Sequence, residues 1–180
     1  MVLLVGIVLG LLLGLGMAAQ HQVRYEAPNF HHLWLVPLAF LLQWLETSRE
    51  FPIIVSQILF LAFIYFNRSL PGMQVLMAGA FLNLVVMATN GGHMPISPET
   101  ASRLFPQENL WDFPAGTLIG AKDVLLPPEQ TRFEWLADRF LPPVWLPYQF
   151  AFSLGDVFIA AGAFWLLAKP TSFAKGKQTS

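Results

Sequence analysis

Residues 1–19, MVLLVGIVLGLLLGLGMAA, contain no charged and no polar side chain. At about 1.5 Å per residue a helix over this run is roughly 28 Å long, close to the hydrocarbon thickness of a bilayer. The run reads as a membrane-crossing helix. A secretory signal peptide competes, because Gly16-Met17-Ala18 presents small residues to a peptidase, but the run has no basic n-region. Within it Gly6, Gly10 and Gly14 repeat every four residues and leave one helix face bare, the small-xxx-small surface on which a second backbone packs closely. The spacing does not say whether that neighbour belongs to the same chain or another; packing within the chain is the expectation.

The rest of the 180 residues keeps this character: 55% are hydrophobic, 12% are charged, the formal net charge is −1 and the mean hydropathy is +0.54. A soluble domain carries about a quarter charged residues, and a nucleic-acid binder shows a basic face. Both classes are excluded. The absence of cysteine removes disulfides, thiolate metal sites and cysteine nucleophiles together.

Working outward, apolar runs at 30–45 and 51–66 flank the polar segment Glu46-Thr47-Ser48-Arg49-Glu50. Each makes a helix of only about 24 Å. They either span with help from the interfacial anchors Trp34, Trp44 and Tyr65, or form a re-entrant hairpin, with Pro37 suited to a kink. Further spans are expected at 70–89, with Pro71 in the first turn, and at 148–168. The expected fold is an all-α membrane protein of about five transmembrane helices. Its long Pro/aromatic-rich extramembrane connection, 90–147, holds nine of fourteen prolines, three of six tryptophans and one or two short surface helices. Ser97-Pro98-Glu99 reads as the start of one such helix, and Phe133, Leu136, Ala137 and Phe140 as the apolar face of another over 128–140. No β-strand pattern or internal repeat is apparent.

Basic residues near span ends orient the chain. Arg24, Arg68, Lys169, Lys175 and Lys177 share the face that holds the C-terminus, against Arg49, Arg103 and Arg139 near span ends on the other. The positive-inside rule makes the C-terminus cytoplasmic, in a bacterial inner membrane, with the N-terminus and the 90–147 connection outside.

Asp156 is the only ionisable acid or base within a predicted span, about eight residues into the last one. A charge at that depth costs about 2.5–3.5 kcal/mol on insertion scales, so Asp156 is expected to face inward, on the same helix face as Ser153. One reading makes it a proton or cation site with Asn83 and Asn90 as neutral oxygen donors. The other, favoured here, has it accept hydrogen bonds from the backbone of the turn Asn90-Gly91-Gly92. His21, His31, His32 and His93 all fall at span ends or in loops, which argues against a haem or chlorophyll held by a mid-membrane histidine. Contact with lipid, quinone or carotenoid needs no such ligand. No phosphate loop, nucleophile elbow, dinucleotide fingerprint or metal-spaced histidine pair occurs.

Asn90-Gly91-Gly92-His93-Met94-Pro95-Ile96-Ser97, followed by Phe152-Ser153-Leu154-Gly155-Asp156, resembles a bacterial family of multi-pass membrane proteins to which no activity is assigned. The resemblance covers essentially the whole chain, including the glycine-rich first span, and departs from the family at Ala137-Asp138, where the family has Gly-Asp. It implies topology and a pairing of the two motifs but names no reaction. The expected function is therefore a non-catalytic accessory or structural subunit that packs with other membrane-protein subunits and with lipid, in a complex of energy-transducing type with quinone or pigment nearby. A small proton- or ion-conducting protein using Asp156 is the alternative, and no nucleic-acid partner is expected.

Overall fold

The computed structural model describes residues 1–44, 50–119 and 123–169. The Glu46–Arg49 part of the polar separator, with Lys175 and Lys177, lies outside the described residues. The helices are α1 (Val2–Gln20), α2 (Leu35–Trp44), α3 (Glu50–Phe66), α4 (Met73–Thr89), α5 (Pro98–Leu104) and α6 (Leu154–Ala168).

The expectation of five transmembrane helices is overturned. Among the described residues only α1 is long and apolar enough to cross a membrane, while residues 53–66, α4 and α6 are apolar but shorter. The runs coincide with helices, but α2, α4 and α6 start three to six residues later than theirs, whereas α3 fills the 51–66 run. Pro37 falls in the first turn of α2, where its missing N–H costs nothing and no kink is needed. Pro71 lies outside α4, whose N-cap is Gly72 in the left-handed conformation, φ 79°. The segment 148–153 is non-helical and α6 starts only after Ser153.

α6 is the centre of the bundle, with α1 on one side and α4 on the other; α4 in turn packs on α3, and α3 on α2. The bare face of α1 forms the first seam. A Cβ on Gly6 or Gly14 would overlap the carbonyl oxygens of Ala160 or Leu167, and one on Gly10 would stand 2.7 Å from that of Phe164. The partner positions rise together, so α1 and α6 run parallel. The second seam pairs Gly79 with Gly155 and Gly72 with Gly162, which makes α4 antiparallel to α6. Gly6, Gly10, Gly14 and Ala18 are the buried residues of α1, and most of its leucines and valines stand exposed.

These directions sort the molecule into two ends. At one lie the C-termini of α1, α3 and α6 with Arg68 and Lys169. There Tyr25 Oη donates to the Leu167 carbonyl at 3.0 Å, an orphan acceptor of the last turn of α6. Asn67, 1% exposed, ties the loop before α2 to the turn before α4: its Nδ2 donates to the His31 and Phe63 carbonyls, and its Oδ1 accepts from His31 N at 2.7 Å.

At the other end sits the 90–153 connection, and it contains a sheet that the sequence reading did not expect. β1 (Met94–Ile96), β2 (Leu118–Ile119) and β3 (Asp123–Leu125) form a mixed sheet in the order β1-β3-β2, β1 parallel and β2 antiparallel to β3. The helix expected over 128–140 is absent. Phe133 takes φ 55°, Glu134–Leu136 make one 3₁₀ turn and Ala137 is extended. Two backbone pairings pull the segment straight: Asp138 N donates to Pro95 O, and Phe140 exchanges both bonds with Phe152. Four residues at helical spacing do not outweigh them. α5 does form where Ser97 and Pro98 place it, with Ser97 Oγ accepting from Thr100 N at 3.1 Å. The connection is docked on the bundle through Leu136 and Met94, which share a buried cluster with Ile53, Val86 and Met87. A second cluster of Ile96, Ala101, Leu110 and Leu125 is its own.

Candidate functional site

The embedded acid is where the fold corrects the sequence reading most. Because α6 begins at Leu154, Asp156 is its third residue and not a side chain eight residues deep. Ser153 and Asp156 form a capping box: Asp156 N donates to Ser153 Oγ at 3.0 Å, and Ser153 N donates to Asp156 Oδ2 at 3.2 Å. Both orphan donors are satisfied by residues three apart, and the carboxylate sits at the positive end of the helix dipole.

Asn83 of α4, in the seam opposite, completes the site. Its Nδ2 donates to Asp156 Oδ1 at 3.0 Å, and its Oδ1 accepts from Ser153 Oγ at 2.9 Å. Gly155 makes this closeness possible, since a Cβ there would overlap the Asn83 amide. Ser153 is fully buried and Asn83 nearly so, so each side chain of the trio meets a partner of matching hydrogen-bond sense. Asp156 is half-buried and borders a cavity of about 410 Å³ lined also by Ile96, Phe105, Ile119, Asp123 and Phe152. A carboxylate that accepts one N–H on each oxygen is suited to locking the start of α6 onto α4. The trio contains no nucleophile–base pair and no second acid.

Asn90, Gly91 and Gly92 do not belong to this site, and the expectation that their backbone receives Asp156 is overturned. They end α4. Gly91 (φ 75°) and Gly92 (φ 82°) turn the chain back so that Gly92 N donates to Met87 O at 2.8 Å. The Asn90 side chain then behaves as a short strand: its Oδ1 accepts from Arg132 N at 2.9 Å, and its Nδ2 donates to Arg132 O at 2.8 Å. The two halves of the motif thus have separate jobs, one at each neighbouring helix end. What the sequence reading missed was visible in it. Ser153-x-x-Asp156 just before an apolar run is the capping-box signature, and Asn67 is one of several polar residues embedded in or next to the runs, whereas Asn83, expected beside Asp156 as an oxygen donor, does meet it, through its amide N–H.

His93 is buried with Nδ1 3.0 Å from Gly91 O, and His32 meets Phe66 in a tilted contact, 4.6 Å between ring centroids. Asp138, 1% exposed, belongs to the connection beside β1. Among the described residues no group of three His, Asp or Glu side chains is placed to hold a metal.

An uncharacterized protein of Thermotoga maritima is 32% identical over 142 residues, covering 76% of this chain and 73% of its own. No solved structure matches the chain. The similarity expected over the whole length is shorter at its start and leaves Gly6, Gly10 and Gly14 outside: the profile of DUF5317, a family of unknown function, matches residues 28–168, and the chain belongs to that family.

Proposed function

We propose that the protein is a non-catalytic integral membrane protein acting as an accessory or structural subunit of a larger membrane complex. α1 crosses the bilayer, and α6 shares its depth because the two helices are in parallel contact from Gly6 to Gly14. One observation carries the reading: the seams of α6 are lined by glycine and alanine, and many large apolar side chains of the helices point outward, although others, such as Ile64, Met73 and Val86, are buried. Leu4, Leu12, Phe40, Leu41, Ile58 and Phe81 are all more than half exposed or at half exposure. Water would penalise that surface by about 25 cal/mol per Å² of apolar area, whereas acyl chains or apolar partners solvate it freely. The end carrying Arg24, Arg68 and Lys169 is assigned to the cytoplasm and the connection to the outside.

A subunit role is supported by the polar trio being spent on holding α4 to α6, as Gln43 and the buried Ser56 are on holding α2 to α3. Purification of the full chain from its native membrane in mild detergent tests it. Stoichiometric co-purifying membrane subunits are expected, and a monodisperse lone chain contradicts the role. Proton conduction through Asp156 is the weaker reading, because both carboxylate oxygens already accept bonds from fixed N–H groups. Asp156→Asn in liposomes is expected to leave proton flux unchanged.

A further inference from the structure

We infer that the groove between α3 and α4 holds one acyl chain of an anionic phospholipid, with the lipid phosphate at Arg68. The inference rests on the membrane reading above. The groove has a volume of about 680 Å³, and its walls are Ile58, Leu61 and Ala62 of α3 with Met77, Ala78 and Phe81 of α4. None of these side chains is polar. Ala62 and Ala78 make the depth that larger residues would fill.

The lining becomes polar at one end only, at Tyr65 in the last turn of α3 and Gln74 in the first turn of α4. Arg68 follows in the turn between the helices. Its guanidinium lies 4.2 Å from the centroid of the Tyr65 ring, and Nη1 donates to Tyr65 O at 3.1 Å. Stacking and this one bond hold the cation at the rim, and its remaining N–H donors are available to an anion. Among the described residues no carboxylate pairs with Arg68.

Length supports a lipid chain. From Gln74 to Phe81 the helix rises about 10 Å, within the roughly 15 Å of hydrocarbon that half a bilayer provides. The polar end coincides with the helix ends, where headgroups lie. With no described carboxylate beside it, the cation favours a net negative headgroup, because the positive charge of a zwitterionic lipid would meet no counter-charge among the described residues there.

Native mass spectrometry of the full chain, delipidated in detergent and titrated with phosphatidylglycerol or phosphatidylcholine, tests the site. One phosphatidylglycerol is expected to bind with about fivefold preference, the worth of one interfacial cation. Arg68→Gln should abolish the preference, and Ala78→Trp should displace both lipids. Inorganic phosphate at equal concentration should not compete. A preference that survives Arg68→Gln, lipid retention unchanged by Ala78→Trp, competition by phosphate alone, or a neutral quinone or a protein subunit seated in the groove would each overturn the inference. Liposome flotation of the same variants separates the two claims. Wild type that stays soluble without detergent refutes the membrane reading, whereas variants that float normally yet bind lipid as wild type does refute only the groove.

Discussion

The bundle and the connection are built by opposite means. In the bundle, α6 meets α1 and α4 through backbone, at Gly6, Gly10, Gly14, Gly72, Gly79, Gly155 and Gly162, and many large apolar side chains, Leu12 and Phe81 among them, face away, although Ile64, Met73 and Leu166 form a buried cluster. In the connection, Ile96, Ala101, Leu110 and Leu125 face one another in a small core of their own and β1 pairs with β3, although Trp111, Trp135, Val144 and Trp145 stand exposed. On the membrane reading proposed above, the difference follows from the solvent. In lipid no hydrophobic force draws helices together, so close contact of small residues and a few hydrogen bonds must do it. In water, apolar burial does most of the work.

Enlarging a seam residue should break this contrast most severely. A Cβ on Gly79 would overlap Gly155 O and stand 2.8 Å from Ile159 N. Gly79→Leu is expected to cost about 3 kcal/mol, the upper part of the usual range for overpacking. Gly16 has nothing within 4 Å of a built Cβ, so Gly16→Leu should stay within about 0.5 kcal/mol. Denaturation in detergent micelles compares the pair, and equal losses would mean that the glycine seam is not what holds α4 to α6.

The polar trio sharpens the contrast from within the bundle. Asn83→Ala leaves Ser153 Oγ and Asp156 Oδ1 without their α4 partner and should cost about 1–3 kcal/mol. A double-mutant cycle with Asp156→Asn should show coupling. Strict additivity would separate the two residues. In the connection, Ser97→Ala removes the cap of α5 and is worth about 1 kcal/mol. Hydrogen exchange should register it in residues 98–104 and leave α4 and α6 unchanged.

The smallest effect is at the basic end. Burial pushes the Tyr25 phenol above its ordinary 10.0, so the fold favours the neutral form that donates to Leu167 O. The contact contributes fully below about pH 10 and is lost as pH rises through the folded value. Tyr25→Phe should remove that part of the alkaline decline in melting temperature. An unchanged decline would assign it to other groups.

The same two regions explain what the sequence disclosed. Apolar character and the four-residue glycine repeat are local and were readable, as was the Ser97-Pro98 start of α5. Helix length was not, because an apolar run was counted as helix through residues 30–34, through Pro71-Gly72 and through residues 148–153. That counting moved Asp156 from a helix start to a helix middle, although its capping partner Ser153 stood three residues away. The sheet was illegible for a different reason. Its strands are two or three residues long and pair across up to about thirty residues, so no periodicity marks them. The 128–140 segment shows the reverse error, a helical pattern overridden by the backbone pairing of Asp138 and Phe140.

Solvation of the outward faces is the claim on which the rest stands, and the absence of cysteine permits a clean measurement. Single cysteines at Leu12, Phe81 and Val144, spin-labelled in the liposome-reconstituted chain, report collisions with oxygen and with a water-soluble nickel complex. Labels at 12 and 81 should be open to oxygen and shielded from nickel, and the label at 144, in the connection, should show the reverse. Nickel access at 12 and 81 equal to that at 144 would contradict the account.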